Sequence, residues 1–234
     1  LTNYDISNVL NQLNDLACQN IQIRSFCKLQ LSELDELLHV TQTSRIRSIE
    51  LYTSENGYSA QEMDDFIKSH KRISLWVNHS SYENKLLEYE VGALQNKIYR
   101  CRQVIEKGQK DFVDIKNFLL DIQLFSEAHQ HNIALNRKVS IDYLGNIKNY
   151  PSHNQIFGNV LNHTLREVTQ KTDFQKKWYV SNDQVEKCKD CAYRYLCFFN
   201  SDLEQRKGHW YKTEDCGYNP YGQERMEKVE SVTA

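Results

Sequence analysis

The sequence predicts an α/β protein in which helix–strand units, part of a (β/α) barrel or an open parallel sheet, precede a small cysteine-rich module with a β-hairpin. Three observations predict it. Over roughly the first hundred residues, apolar positions switch between helical spacing and strict alternation. Two short alternating runs then flank a turn that contains Gly145. Beyond Lys187 the periodicity stops, and four of the seven cysteines gather among aromatic residues. The predicted division is an α/β domain over 1–124 and the cysteine-rich domain over 125–234.

Ile6, Val9, Leu10, Leu13 and Leu16 recur at helical spacing, and Asn20-Ile21-Gln22-Ile23-Arg24 follows as a strand. Leu31, Leu34, Leu37 and Leu38 mark a second helix, with a strand at Ser48-Ile49-Glu50-Leu51-Tyr52. Ser59-Ala60-Gln61-Glu62 reads as a capping box, since Ser59 can accept from the Glu62 amide while the Glu62 carboxylate reaches back. Met63, Phe66 and Ile67 carry that third helix. Ile73, Leu75 and Val77 alternate as a strand, and Ile98 to Ile105 reads as a fourth. Short connections imply parallel strands joined by right-handed crossovers. Three clear units and a weaker fourth are too few to close an eight-stranded barrel.

Residues 111–136 give no clear element. Val139-Ser140-Ile141-Asp142 and Ile147-Lys148-Asn149-Tyr150 then read as a hairpin, which Pro151 ends. A helix is expected around Leu161–Gln170.

The chain has 234 residues, 40% of them hydrophobic, enough for one large domain or for a body with a small appendage. A formal charge of −2 points to no nucleic-acid partner and no anionic membrane. No apolar run has the length of a membrane span, and no signal peptide is visible, so the expected location is cytoplasmic. In that reducing compartment seven cysteines read as thiols or ligands rather than a disulfide framework. The opening at Leu1, directly before a helical pattern, suggests a fragment.

The four clustered cysteines are spaced Cys188-x2-Cys191-x5-Cys197-x18-Cys216. A C-x2-C turn lets two thiolates point at one centre, a third follows within a turn or so, and a fourth returns from a loop to complete a tetrahedral set. Such a set suits either zinc or an iron–sulfur cluster.

The string from Cys188 to Cys197, with Cys216-Gly217-Tyr218-Asn219-Pro220-Tyr221 after it, resembles the SPASM domain. That domain follows the radical-SAM barrel in many enzymes that mature ribosomal peptides. Asn136-Arg137-Lys138-Val139-Ser140-Ile141-Asp142, Gly145-Asn146-Ile147-Lys148-Asn149, Pro151-Ser152 and Phe157-Gly158-Asn159 narrow the resemblance to the SPASM peptide maturases of grasp-with-spasm systems. There the maturase gene sits beside an ATP-grasp peptide ligase and a precursor peptide. The resemblance spans residues 125–225.

The resemblance implies one [4Fe–4S] cluster on Cys188, Cys191, Cys197 and Cys216, the set that holds the second of the family's two auxiliary clusters. Thiolates of the first are missing together: Ala134, Tyr150, Asn200 and Ser201 stand where the family pattern places cysteines. The radical-SAM motif C-x3-C-x2-C is absent too, because Cys18, Cys27 and Cys101 are too far apart to form it. S-adenosylmethionine is therefore not expected in this chain. Either that motif lies upstream of Leu1 or the chain works without it, and the loss of one cluster favours the second.

The implied function is maturation of a ribosomal peptide, by binding the precursor peptide or the partner ATP-grasp ligase; whether the chain is itself an enzyme stays open. The alternatives are a binding module folded by a structural zinc, and the C-terminal fragment of a complete radical-SAM enzyme.

Other residues read more plainly. Cys18, Cys27 and Cys101 read as buried small hydrophobes. His129 and His131 read as a solvated pair, and His209 as no ligand, since four cysteines suffice. Tyr193, Tyr195, Phe198, Phe199, Trp210, Tyr211, Tyr218 and Tyr221 read as the apolar shell of the module rather than a peptide groove. Arg194 either offsets cluster charge or lies on the surface.

Overall fold

The structure is a computed structural model that describes residues 2–54, 57–79, 81, 83–91, 94–104 and 121–222. The chain forms two compact units, residues 1–107 and 108–234.

The first unit runs α1 (Ile6–Asp15), β1 (Asn20–Arg24), α2 (Leu31–His39), β2 (Ser48–Ser54), α3 (Ala60–Ser69), β3 (Ile73–His79), β4 (Lys85–Val91) and β5 (Leu94–Arg100). Its sheet has the order β1-β2-β3-β5-β4, parallel throughout except for the antiparallel β4–β5 pair. Each helix starts where a side chain or carboxylate satisfies the exposed amides of the first turn. Asp5 accepts from the Ser7 amide at 2.8 Å, and Glu33 accepts from the Gln30 amide at 2.6 Å. The Ser59 hydroxyl accepts from the Glu62 amide at 3.2 Å while Glu62 accepts from the Ser59 amide at 2.8 Å, the expected capping box.

The fourth parallel strand begins before Ile98, and a strand the alternation did not reveal, β4, precedes it. Ile105, the expected end of that strand, lies outside the described residues, and so do residues 111–120 of the unassigned 111–136.

Strand β2 buries Ile49, Leu51 and Thr53 and leaves Glu50 and Tyr52 half-exposed, so one face of the sheet is apolar. Leu10, Leu34, Leu38, Met63, Phe66 and Ile67 of the three helices pack on that face with Trp76 and Ile98. Burial of each large side chain contributes about 1.5–3 kcal/mol. The strand order advances in one direction from β1 to β5, and right-handed crossovers then place the helices on one side. The opposite face carries Gln22, Arg24, Glu50, Tyr52, Leu75 and Val77 in register.

The second unit has short elements: α4 (Ile122–Ala128), β6 (Ser140–Ile141), β7 (Asn146–Lys148), β8 (Gly158–Asn159), α5 (Leu165–Thr169), α6 (Thr172–Gln175), β9 (Leu203–Arg206) and β10 (His209–Lys212). The expected hairpin is β6–β7, and β8 extends it to three strands. Gly145 turns it at φ 84°, and the Asp142 carboxylate accepts from the Leu144 and Asn146 amides, both at 3.0 Å. The expected helix around 161–170 contracts to α5 because Thr164 caps it, accepting from the Glu167 amide at 3.2 Å. Hairpin β9–β10 turns through Lys207 and Gly208, both at positive φ, the geometry of a tight hairpin turn. Ala134, Leu135, Tyr150, Val180, Val185 and Leu203 form a separate small core. Among the described residues no helix is long and apolar enough to cross a membrane.

Candidate metal centre

The segment that carries the cysteines is nearly all loop, so its shape rests on hydrogen bonds between consecutive turns. The Glu186 amide donates to the Trp210 carbonyl at 2.8 Å, tying the approach to Cys188 onto β10. Lys187 then takes φ 67° and starts a single 3₁₀ turn over Cys188–Asp190. The Cys188 carbonyl accepts from the Cys191 amide at 2.9 Å, which is the closure a C-x2-C pair needs. The next turn is held by Arg194. Its amide and its Nη1 both donate to the Cys191 carbonyl, at 3.2 and 3.1 Å. Its Nε donates to Asp183 at 2.8 Å, and Asp183 also accepts from the Tyr195 hydroxyl at 3.1 Å. The Arg194 guanidinium is half-exposed and is held by the loop's own backbone and by Asp183.

Three cross-links pin the loop of Cys216 to the Cys188–Cys191 turn. Lys187 pairs with Asp215 at 2.6 Å, the Tyr221 hydroxyl donates to Asp190 at 2.5 Å, and the Tyr193 and Tyr218 rings meet edge to face at 5.4 Å. Asp215 also accepts from the Gly217 amide at 3.0 Å, and Gly217 takes φ 76°, where a side chain would be strained. A surface ion pair contributes little singly; three contacts of different kinds fix the loop together.

All four cysteines are half-buried free thiols. Cys188 packs against the small core, and burial pushes its thiol up to about 11, with Cys197, Cys216 and Cys191 adding to the rise. Burial also raises Cys191, and Cys197 and Cys216 act in the same direction. The four sulfurs therefore share one electrostatic neighbourhood. Among the described residues no three His, Cys, Asp or Glu side chains are set to hold a metal ion. Tetrahedral zinc would require the sulfurs about 3.8 Å apart.

One cation opposes the rise. Lys212, on β10, lowers both Cys188 and Cys191, and it is held in place by the Phe199 carbonyl at 2.9 Å and the Phe199 ring at 4.8 Å. Sequence reasoning missed it, because only the hairpin brings position 212 back beside position 188. A Gly208 turn flanked by alternating residues was the signal available.

The four positions at which the resemblance implies further thiolates are occupied by other contacts. Ala134 and Tyr150 lie together in the small core, the Asn200 carbonyl pairs with His153 Nε2 at 2.9 Å, and the Ser201 hydroxyl accepts from the Glu214 amide at 3.0 Å. His209 pairs with Glu186 at 3.0 Å and is no part of the thiol set. His129 is exposed but its ring packs at a tilt on Tyr195 at 4.0 Å, and half-buried His131 packs near Tyr179. The aromatic shell is partial: Phe199 is buried and Trp210 packs on the small core, whereas Tyr221 is exposed. Of the other cysteines only Cys101 is a buried small hydrophobe. Cys27 is exposed and Cys18 half-buried, contrary to expectation, since β1 lies at the edge of its sheet.

Compared with known proteins, the chain matches no family model, no curated protein and no solved structure.

Proposed function

We propose that the chain is an iron–sulfur protein of ribosomal-peptide maturation, holding one [4Fe–4S] cluster on Cys188, Cys191, Cys197 and Cys216 and binding a precursor peptide or a partner ATP-grasp ligase. The observation that carries the reading is the triple pinning of the Cys216 loop onto the Cys188–Cys191 turn, which returns the one cysteine distant in sequence to the neighbourhood of the others. The donor set fits. It is all thiol, it has an apolar core on one side, and Lys212 supplies a positive charge to offset thiolates. Such a group, when bound, supplies electron transfer or a structural staple. With all four thiolates used, no iron position is left for direct substrate ligation. The resemblance of residues 125–225 to grasp-with-spasm maturases supports the peptide and ligase as partners, and free thiols suit a reducing cytoplasm.

The test is an iron, sulfide and zinc count on protein purified without oxygen, beside Cys191→Ala. About four irons and four sulfides per chain, lost in the variant, are expected. One zinc without sulfide would replace the cluster by a structural knot and end the redox reading.

A further inference from the structure

The first unit holds a second group of chemically capable side chains, at the carboxyl ends of its parallel strands. Arg24 ends β1, Tyr52 lies in β2, His79 ends β3 and Cys101 follows β5. Asn78 is in register with Arg100, so the next step along both strands sets His79 beside Cys101. Cys101 Sγ lies 3.4 Å from His79 Nδ1, the Tyr52 ring stacks on His79 at 6.1 Å, and the Arg24 guanidinium covers Tyr52 at 5.3 Å. Ligands of open α/β sheets bind at this edge, outside the carboxyl ends of the strands.

Hydrogen-bond accounting fixes what the histidine can do. His79 Nδ1 lies 3.1 Å from the Gln103 carbonyl oxygen, which can only accept. Nδ1 therefore carries the proton. Burial, aided by the charge of Arg24, holds the ring below its ordinary pKa and hence neutral, so Nε2 keeps its lone pair. That nitrogen is buried and has no partner among the described residues, and the Ser81 hydroxyl two residues on is in the same state. His79 and Ser81 are only 6% and 5% exposed. Buried polar groups are ordinarily paired, and two orphans two residues apart point to a partner from outside the chain.

We propose that His79 and Ser81 form a binding site for an amide, a carboxamide or a peptide bond, whose N–H is accepted by His79 Nε2 and whose carbonyl is met by the Ser81 hydroxyl. The chemistry excludes the nearest rivals. The positive charge of Arg24 disfavours a metal ion on the imidazole, and Cys101 faces Nδ1, the wrong nitrogen to share an ion held by Nε2. Thiol catalysis fails as well. Burial raises the Cys101 pKa, and Nδ1, already protonated toward Gln103, has no lone pair to take the thiol proton. The site belongs to the first unit alone and does not depend on the cluster reading.

The experiment is a long-range proton–nitrogen spectrum of the full chain labelled with ¹⁵N-histidine, with the His79 signals among the eight histidines identified by their loss in His79→Gln. At neutral pH, Nε2 should resonate as an unprotonated nitrogen. Acetamide and N-methylacetamide should shift it saturably, acetone, which lacks a donor, should not, and Ser81→Ala should weaken the amide response several-fold. A protonated Nε2, an equal response to acetone, no response at molar acetamide, or a shift produced by zinc instead would each overturn the proposal. Thermal unfolding of His79→Phe adds a structural check: an unchanged or raised Tm fits an orphan nitrogen kept for a ligand, and a strongly lowered Tm marks a histidine needed for folding.

Discussion

Two cations flank the four thiols, and their roles divide by what each one touches. Arg194 is committed to Asp183 and to the Cys191 carbonyl, so it shapes the turn. Lys212 is anchored on Phe199 and acts on the sulfurs through its field. Lys212→Met should therefore leave the fold in place, at a cost of about 1 kcal/mol for the lost hydrogen bond. It should also move ligand binding. Thiols must lose protons to ligate, so loading improves as pH rises, and removing the cation that lowers Cys188 and Cys191 shifts the loading curve to higher pH. Cobalt uptake by metal-free protein, followed by its thiolate absorption from neutral to alkaline pH, measures that shift. An unshifted curve would remove Lys212 from the site. At this scale the sequence shows the four cysteines as a group and not their surroundings. Cys188, Cys191 and Cys197 lie close along the chain, whereas Lys212 and Asp183 reach them only through β10 and a 3₁₀ turn. The His79–Cys101 pair was hidden for a similar reason, since 22 residues separate partners that parallel register makes neighbours.

Among the elements, the hairpin β6–β7 depends on one side chain. The Asp142 carboxylate collects the Leu144 and Asn146 amides, the Asn146 side chain at 3.0 Å and Lys148 at 3.3 Å. Burial alone would raise its pKa, but those hydrogen bonds outweigh it and hold the carboxyl below its ordinary value of 3.8. A depressed carboxylate stabilises the fold above the unfolded pKa, and that contribution is lost as pH falls through the folded one. Asp142→Ala should thus cost about 1–2 kcal/mol at pH 7, a gap that closes in acid; urea unfolding at both pH values measures it. The cap of α3 is a simpler case: Ser59→Ala should cost about 1 kcal/mol, with no such acid dependence beyond that of Glu62. Both features were legible, because a capping box and a glycine turn are local codes. Strand β4 was not. Its run Lys85–Val91 mixes charged and apolar residues, as an antiparallel edge strand can, so its own periodicity does not reveal its pairing with β5.

Across the whole molecule the two units are stabilised by different means. The first buries a large apolar face under three helices, with Leu34, Leu51, Met63, Ile67 and Trp76 fully enclosed. The second gathers Ala134, Leu135, Tyr150, Val180, Val185 and Leu203 in one cluster, buries Leu165, Val168 and Phe174 besides, and has strands of two to four residues and a loop held by polar cross-links. A small core of that kind gains much from a bound metal or cluster, because ligand binding to the folded state adds directly to its stability. The alternation of the first unit announced its sheet, and the lack of periodicity in the second correctly announced loops, but no sequence pattern states how firmly loops are pinned. Hydrogen exchange states it. In metal-free protein the amides of β2 and β3 should exchange slowly and those of 187–221 quickly, since opening free energy follows local burial. Reconstitution with iron and sulfide should slow the amides of Lys187–Arg194 and Asp215–Tyr221 by at least tenfold, leaving β2 and β3 unchanged. Protection spread evenly over both units would mean that the ligand stabilises the chain as one cooperative body. No change at 187–221 would mean that the polar cross-links already hold the loop without it, and the four cysteines would then lose their role as its staple.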